Sequence, residues 1–489
     1  MNYRYVLKKL GNILLIEALL LCLPLFVSLY YKENIMPFIN TIIIILFFGI
    51  ILSLIRVKRD SYFAKEGLLI TTLSWILLSV FGSLPFIFDG AIPSFIDAFF
   101  ETVSGFTTTG ASIITDVESI SKSILFWRSF THWIGGMGIL VFVIALLPMS
   151  NNNSMHIIKA EVPGPFKGKL VPRLRDTAKW LYGIYFFLTI IEIIFLYLGN
   201  MPLYDSVLTS FGTAGTGGFG MKNTSIAFYN SPYIEYVVGI FMLLFGINFN
   251  IFFFILMKKF KSVFKNEELK TYLGIVFTSI LLITLNIISL TSNFSEAFRL
   301  SFFQVSSIMT TTGYSTADFN MWPTFSKLIL MILMLFGACG GSTAGGIKIS
   351  RIIIALKKVF VDFKRKIHPN AINKVRFENK NIDDETVNGI STFIILYFVL
   401  IGIIGLIVSL DNFDIETTLT SVIACISNIG PGMGMVGPMG NFSILSDLST
   451  FVLTIAMLLG RLELYPILIF LSPTLFIRNR RINKAKRSH

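Results

Sequence analysis

Charge is scarce in this chain: Asp, Glu, Lys and Arg make up 14% of 489 residues, whereas hydrophobic residues make up 54%. A soluble globular domain carries about 25% charged residues, so water is not the only solvent here. The 3 cysteines, Cys22, Cys339 and Cys425, fall inside apolar segments without metal-ligand spacing, which excludes a disulfide framework and a zinc cluster. The 4 histidines, His132, His156, His368 and His489, are scattered with no nucleophile at hand, so no catalytic constellation is visible. Within the apolar segments the charges are Glu17, Glu192, Arg461 and Glu463, too few and too dispersed for a membrane-embedded enzyme. A receptor or scaffold subunit without transport is the other non-enzymatic alternative.

What is abundant is hydrophobic length. A transmembrane helix needs about 20 mostly apolar residues, and ten runs of that kind can be marked, which predicts a multi-pass membrane protein. The first, 11–31, follows Arg4, Lys8 and Lys9 as a signal peptide would, but it is long and lacks a small-residue cleavage site, so it is read as a retained span. A net charge of +13 raises the question of nucleic acid. With a cytoplasmic N-terminus, however, the basic residues gather in inner loops and termini, as the positive-inside rule requires, and both termini are inside. No nucleic-acid partner is implied. Carboxylates such as Asp89, Asp97, Asp116, Asp205, Asp318 and Asp411 gather on the outer side, where they would concentrate cations; a simple shortage of outer Lys and Arg is the alternative account.

One pattern returns four times: Thr108-Thr109-Gly110-Ala111, Thr216-Gly217-Gly218, Thr311-Thr312-Gly313-Tyr314 and, more loosely, Asn428-Ile429-Gly430-Pro431. Each copy lies in the same frame of long apolar segment, short amphipathic helix, glycine signature and second long apolar segment. The central glycines are read as Gly110, Gly217, Gly313 and Gly430, a spacing too wide for a solenoid. The expected fold is an all-α polytopic membrane protein of four M1–pore loop–M2 repeats about a pseudo-fourfold axis, with two extra N-terminal transmembrane helices. The divisions are an N-terminal hairpin at 1–65, repeat 1 at 66–150, an inner connector and repeat 2 at 151–265, repeat 3 at 266–380, and repeat 4 with a cytoplasmic tail at 381–489. In repeat 1 the short helix is expected at 94–106, with Asp97 near its start, where the helix dipole favours a carboxylate.

The signatures suit cation passage, because rings of backbone carbonyls replace an ion's hydration shell and glycine permits the left-handed backbone that aims them. The third repeat's second span, near 325–360, is interrupted by Gly340, Gly341, Ser342, Thr343, Ala344, Gly345 and Gly346, and by Gly337 upstream. Unwound backbone at that depth is tolerated where it is buried in protein or lines a cavity, which predicts an intramembrane loop at the pore; close helix packing through small residues is the alternative. Arg461, mid-span, should face the protein interior or the pathway, and a structural pair with Glu463 is the plainer reading. Gly432 to Gly437 fits GxGxxG but does not join a strand to a helix, and the stretch ending in Lys348 approaches a Walker A loop with its lysine one place late and Ile349 after it, so nucleotide binding by this chain is not implied.

The pieces "SGFTTTGAS", "GTGGF", "MTTTGYSTADF", "SNIGPG", "HWIGGMGILV", "GGSTAGGIK" and "MLLGRLELYP" together resemble the Trk/Ktr/HKT superfamily of potassium transporters, and the two extra N-terminal spans resemble its TrkH type. The resemblance covers the chain from about residue 65 onward. It implies potassium uptake across a bacterial inner membrane, without covalent chemistry, through a filter formed by the four signatures. It also implies a gate at 340–346 with Arg461 reaching towards it. Potassium ions would be the ligand and no cofactor would sit on this chain. The implied partners are a second copy in a homodimer, membrane lipid, and a cytosolic ring of nucleotide-binding regulatory subunits (TrkA-like) that would hold the nucleotide. A sodium- or mixed-cation-coupled potassium symporter of the same family is the alternative.

Overall fold

The computed structural model describes residues 2–57, 64–138, 174–370, 373–464 and 466–468. Helices α1 (Tyr3–Leu20) and α2 (Cys22–Tyr31) form one 29-residue crossing, which begins ahead of the expected residue 11, and α3 (Met36–Ser53) returns beside it. The pair packs closely because Gly11 lacks a side chain: a Cβ there would lie 2.6 Å from the Ser53 nitrogen.

Four repeats follow. The first comprises α4 (Ala64–Gly82), α5 (Leu84–Asp89), α6 (Phe95–Phe106) and α7 (Lys122–Gly136). The second comprises α8 (Leu174–Leu198), α9 (Leu203–Gly215), α10 (Pro232–Phe245) and α11 (Phe249–Leu256), after which α12 (Phe260–Phe264) leads onward. The third comprises α13 (Glu267–Ile287), α14 (Phe294–Met309), α15 (Thr324–Leu335) and α16 (Ile349–Ile367). A small hairpin, β1 (Arg376–Phe377) paired antiparallel with β2 (Lys380–Asn381), precedes the fourth: α17 (Asp384–Val408), α18 (Ile415–Ile426) and α19 (Asp447–Arg461).

Among the described residues, 6 helical segments are long and apolar enough to cross a membrane: the two N-terminal ones and the opening helix of each repeat. The closing helices behave differently. The expected continuous span at 233–257 is instead bent by 91° between α10 and α11. The third repeat imposes it: Gly246 meets the Tyr272 hydroxyl and Thr310, its carbonyl accepts from Cys339 N–H at 3.1 Å, and Asn248 restarts the helix by capping Asn250 N–H at 3.0 Å. In the third repeat the helix stops at Leu335 and resumes at Ile349. In the fourth it stops at Arg461, followed by left-handed Glu463 and Leu464. The inner connector 150–173, the tail 478–489 and the far ends of the spans expected at 125–147 and 447–473 lie outside the described residues.

Candidate functional site

The short helices α6, α9, α14 and α18 aim at one place. They have 12, 13, 16 and 12 residues. Each carries an acid in its first turn, Asp97, Asp205, Glu296 or Glu416. Three are capped by a side chain that accepts from the first turn, Ser94, Asn293 and Asp414. The acids favour the positive end of each dipole, which leaves the partially negative ends at the glycine signatures.

Each helix ends the same way. Thr108, Thr216, Thr311 and Asn428 are left-handed, with φ between 55° and 56°, and the glycine two residues later is left-handed again: Gly110, Gly218, Gly313 and Gly430. The following N–H reaches back five residues in every copy, Thr109 to Ser104, Gly217 to Gly212, Thr312 to Ser307 and Ile429 to Ala424, at 2.8 to 2.9 Å. That is a Schellman closure. β-Branched residues rarely adopt positive φ, so three threonines held there, at about 1–2 kcal/mol each, mark a backbone shape imposed by its surroundings.

This geometry corrects the register of the second copy. Gly218, not Gly217, is the counterpart of Gly110, Gly313 and Gly430, and Gly217 stands where the first and third copies have Thr109 and Thr312. The His132 ring fills the room that Gly217 leaves, since a Cβ on Gly217 would lie 2.5 Å from it.

The four loops converge in a ring. A Cβ on Gly110 would lie 2.0 Å from the Gly217 carbonyl oxygen, one on Gly218 1.9 Å from that of Thr312, one on Gly313 2.2 Å from that of Ile429, and one on Gly430 2.8 Å from that of Thr109. The copies thus meet in chain order, and the fourth meets the first. Ala111 and Tyr314 are buried beside the ring, and Pro431 lies against Gly313. The outer rim is sewn in the same order. Asn223 takes Val117 N–H at 2.9 Å, Ser315 donates its N–H to Ser225 Oγ at 3.3 Å, Asn320 exchanges hydrogen bonds with Gly434 at 3.0 and 3.1 Å, and Phe442 N–H reaches the Ser112 carbonyl at 2.8 Å.

Beneath the ring lies the interruption between α15 and α16. Its ends are joined by Gly337 N–H to the Ile347 carbonyl at 2.8 Å, and Gly345 N–H donates to Thr311 Oγ1 at 2.7 Å. A Cβ on Gly345 would lie 2.2 Å from the Ser427 carbonyl oxygen, so the segment sits directly under the third and fourth copies. Gly340 N–H donates to Glu268, Gly341 accepts from Phe249 N–H, Ser342 Oγ donates to Cys339, and Thr343 Oγ1 donates to Phe245. A Cβ on Gly346 would lie 2.9 Å from Gly337 N, and Lys348 Nζ donates to the carbonyls of Ala344 and Gly345. Arg461 donates to the Thr343 carbonyl at 2.8 Å and to those of Gly135 and Gly136 at 2.5 and 2.8 Å. Its expected neighbour Glu463 pairs with Arg351.

The four charged or polar groups that sequence reasoning passed over are Glu101, Arg128, Glu268 and Lys348. Each is buried and hydrogen-bonded to backbone at the ring or the loop beneath it. The available signal was position: Glu101 is the charge on α6 beyond its first turn, and Lys348 is the first charge after the glycine cluster.

The profile of the TrkH family, described as cation transport protein, matches residues 34–476. The chain is 33% identical over 482 residues to the Trk system potassium uptake protein TrkH of Escherichia coli (strain K12), covering 97% of this chain and 99% of that protein. It is 34% identical over 486 residues to the Trk system potassium uptake protein TrkG of the same strain, covering 96% and 98%. The crystal structure of the potassium transporter TrkH from Vibrio parahaemolyticus superposes with a TM-score of 0.88 at 31% identity, covering 98% of this chain and 100% of that one. With a four-repeat ring of the same architecture and near-complete coverage on both sides, the chain belongs to the TrkH family of cation transport proteins.

Proposed function

We propose that this chain takes up potassium across the bacterial cytoplasmic membrane, moving the ion down its electrochemical gradient through the ring of glycine loops. The observation that carries this is the cyclic closure in which each left-handed glycine faces a carbonyl of the next copy. The oxygens of Thr109, Gly217, Thr312 and Ile429 are four equivalent, fixed acceptors, and the negative ends of four helix dipoles lie behind them. Such a set replaces a hydration shell at little cost. Residues 108–111, 216–218, 311–314 and 428–431 form the selectivity filter in this reading, in four repeats at 66–150, 151–265, 266–380 and 381–489.

The segment 340–346 is the gate in this reading, because it sits under the filter and is held by Thr311, Glu268, Lys348 and Arg461. Potassium is the transported ligand and this chain carries no cofactor of its own. The termini are cytoplasmic, the protein is a homodimer, and a cytosolic nucleotide-binding ring regulates the gate; the names of its relatives, as proteins of a Trk system, support a multi-component assembly. The test is reconstitution of the purified chain in liposomes with potassium or sodium gradients. Potassium flux in excess of sodium flux is expected, and equal fluxes overturn the reading.

A further inference from the structure

The first and third copies tie down the strand that leaves the filter by the same device, built from different chemistry. In the first, Glu101 on α6 accepts from Ile113 N–H at 2.9 Å and from Ser112 Oγ at 3.0 Å. In the third, Gln304 occupies the equivalent place on α14; with its amide oxygen turned inward it accepts from Thr316 N–H at 2.9 Å. A neutral amide therefore suffices to hold the strand. The first copy nevertheless uses a carboxylate, fully buried, and must neutralise it with Arg128 of α7, whose Nε lies 2.6 Å from Glu101 Oε1.

A buried ion pair contributes little net stability over an apolar or neutral substitute, so holding one strand does not account for it. Arg128 supplies what Gln304 lacks: reach. Its Nη1 donates to the Gly220 carbonyl at 3.0 Å, and its guanidinium lies 3.5 Å from the centre of the Phe219 ring. Both residues belong to the strand leaving the second copy, just beyond Gly218. One carboxylate thus fixes the first quarter, and its counter-ion fixes the second.

We infer that Glu101 and Arg128 form a specificity-determining clamp that sets the spacing between the first two quarters of the filter and keeps the guanidinium charge from opposing the passing cation. Both are positioning residues; neither touches the ion. The inference rests on the filter reading above. With the carboxylate gone, an uncompensated cation stands beside the path. With the arginine gone, the second strand loses its hydrogen bond and a lone carboxylate remains. With both replaced by neutral residues, Glu101→Gln together with Arg128→Leu, the charge imbalance disappears but the second strand is still untied.

The experiment measures the ratio of potassium to sodium flux in liposomes for the intact chain, E101Q, R128L, the double variant and Gly110→Ser. Each single variant is expected to lower the ratio about tenfold, and the double variant about tenfold as well and not a hundredfold, because all three break the same link from α6 to the second strand, the signature of a coupled pair. Single variants with an unchanged ratio, or a double variant whose loss is the sum of the two, overturn the clamp. Where the single variants do not yield monodisperse protein, the double variant decides: a ratio about tenfold below the intact chain supports the clamp, and one equal to that of the intact chain overturns it. An intact chain without potassium preference defeats the filter reading itself. A selective chain altered by Gly110→Ser but not by E101Q defeats the clamp alone.

Discussion

Gly345 N–H donates to Thr311 Oγ1 at 2.7 Å, so the segment beneath the glycine ring is fastened to the residue whose left-handed backbone ends the third short helix. Any displacement of that segment strips Thr311 of its donor at the point where the chain enters the ring. The two parts of the site are one mechanical unit.

Thr311→Val follows directly. Valine keeps the shape and removes the acceptor, leaving the buried Gly345 N–H unsatisfied at a cost of about 1–3 kcal/mol. With the segment as the proposed gate, its closed position is disfavoured, and basal potassium flux in liposomes is expected to rise about tenfold. Flux equal to that of the intact chain contradicts the link.

The second copy provides a test of register. Gly218 has φ of 75° and a Cβ there would lie 1.9 Å from the Thr312 oxygen, whereas Gly217 has no positive φ and its nearest neighbours are atoms of the His132 ring. Gly218→Ala is therefore expected to abolish potassium preference in the flux assay. Gly217→Ala combined with His132→Ala is expected to retain most of it, and loss of preference in that double variant contradicts the assignment.

That register also shows where sequence reading stops. The four signatures were visible because each ring position demands glycine, and a demand on residue type is written in the chain. In Gly217-Gly218 both positions satisfy it, so identity alone cannot say which one bears the positive φ. The ion pairs were hidden for a different reason. Glu101 with Arg128 and Glu463 with Arg351 join residues 27 and 112 apart, and only packing brings them together. The 91° bend at 246–248 was hidden too, because Tyr272 and Cys339, which meet Gly246, come from another repeat.

Glu268 accepts from Gly340 N–H at 2.7 Å and from Ser350 N–H at 3.1 Å through the same oxygen, stapling the start of the segment and the first turn of α16, at its two ends, to α13. Glu268→Gln retains one carbonyl oxygen and is expected to leave basal flux within about twofold of the intact chain, whereas Glu268→Ala frees both ends and raises it. Two variants with the same basal flux contradict the staple.

The outer rim carries a pH dependence of calculable sign. Hydrogen bonding to Asn223 holds Asp116 below the usual carboxylate range, and the bond to Lys222 does the same for Glu118. A carboxylate lowered on folding contributes stability that is present at neutral pH and lost as pH falls through its folded value. Both groups are exposed, so the effect is small. The melting temperature is expected to fall somewhat below about pH 4, and less steeply in Asn223→Ala with Lys222→Ala; identical acid profiles contradict the attribution.

Arg461 separates two ways in which the segment, as the proposed gate, would close the pore. Its guanidinium ties the Thr343 carbonyl of the segment to the Gly135 and Gly136 carbonyls at the end of α7, so it is a latch across three repeats. It is also a positive charge against the proposed gate, and like charge repels an approaching cation. Arg461→Gln keeps hydrogen-bond donors and removes the charge; Arg461→Ala removes both. If the latch dominates, glutamine leaves basal flux low and alanine raises it. If the charge dominates, both raise it alike. With three carbonyls engaged, and with the Lys348 ammonium, which donates to the carbonyls of Ala344 and Gly345, remaining in either variant, the latch is expected to dominate, and alanine to exceed glutamine by about tenfold in basal potassium flux.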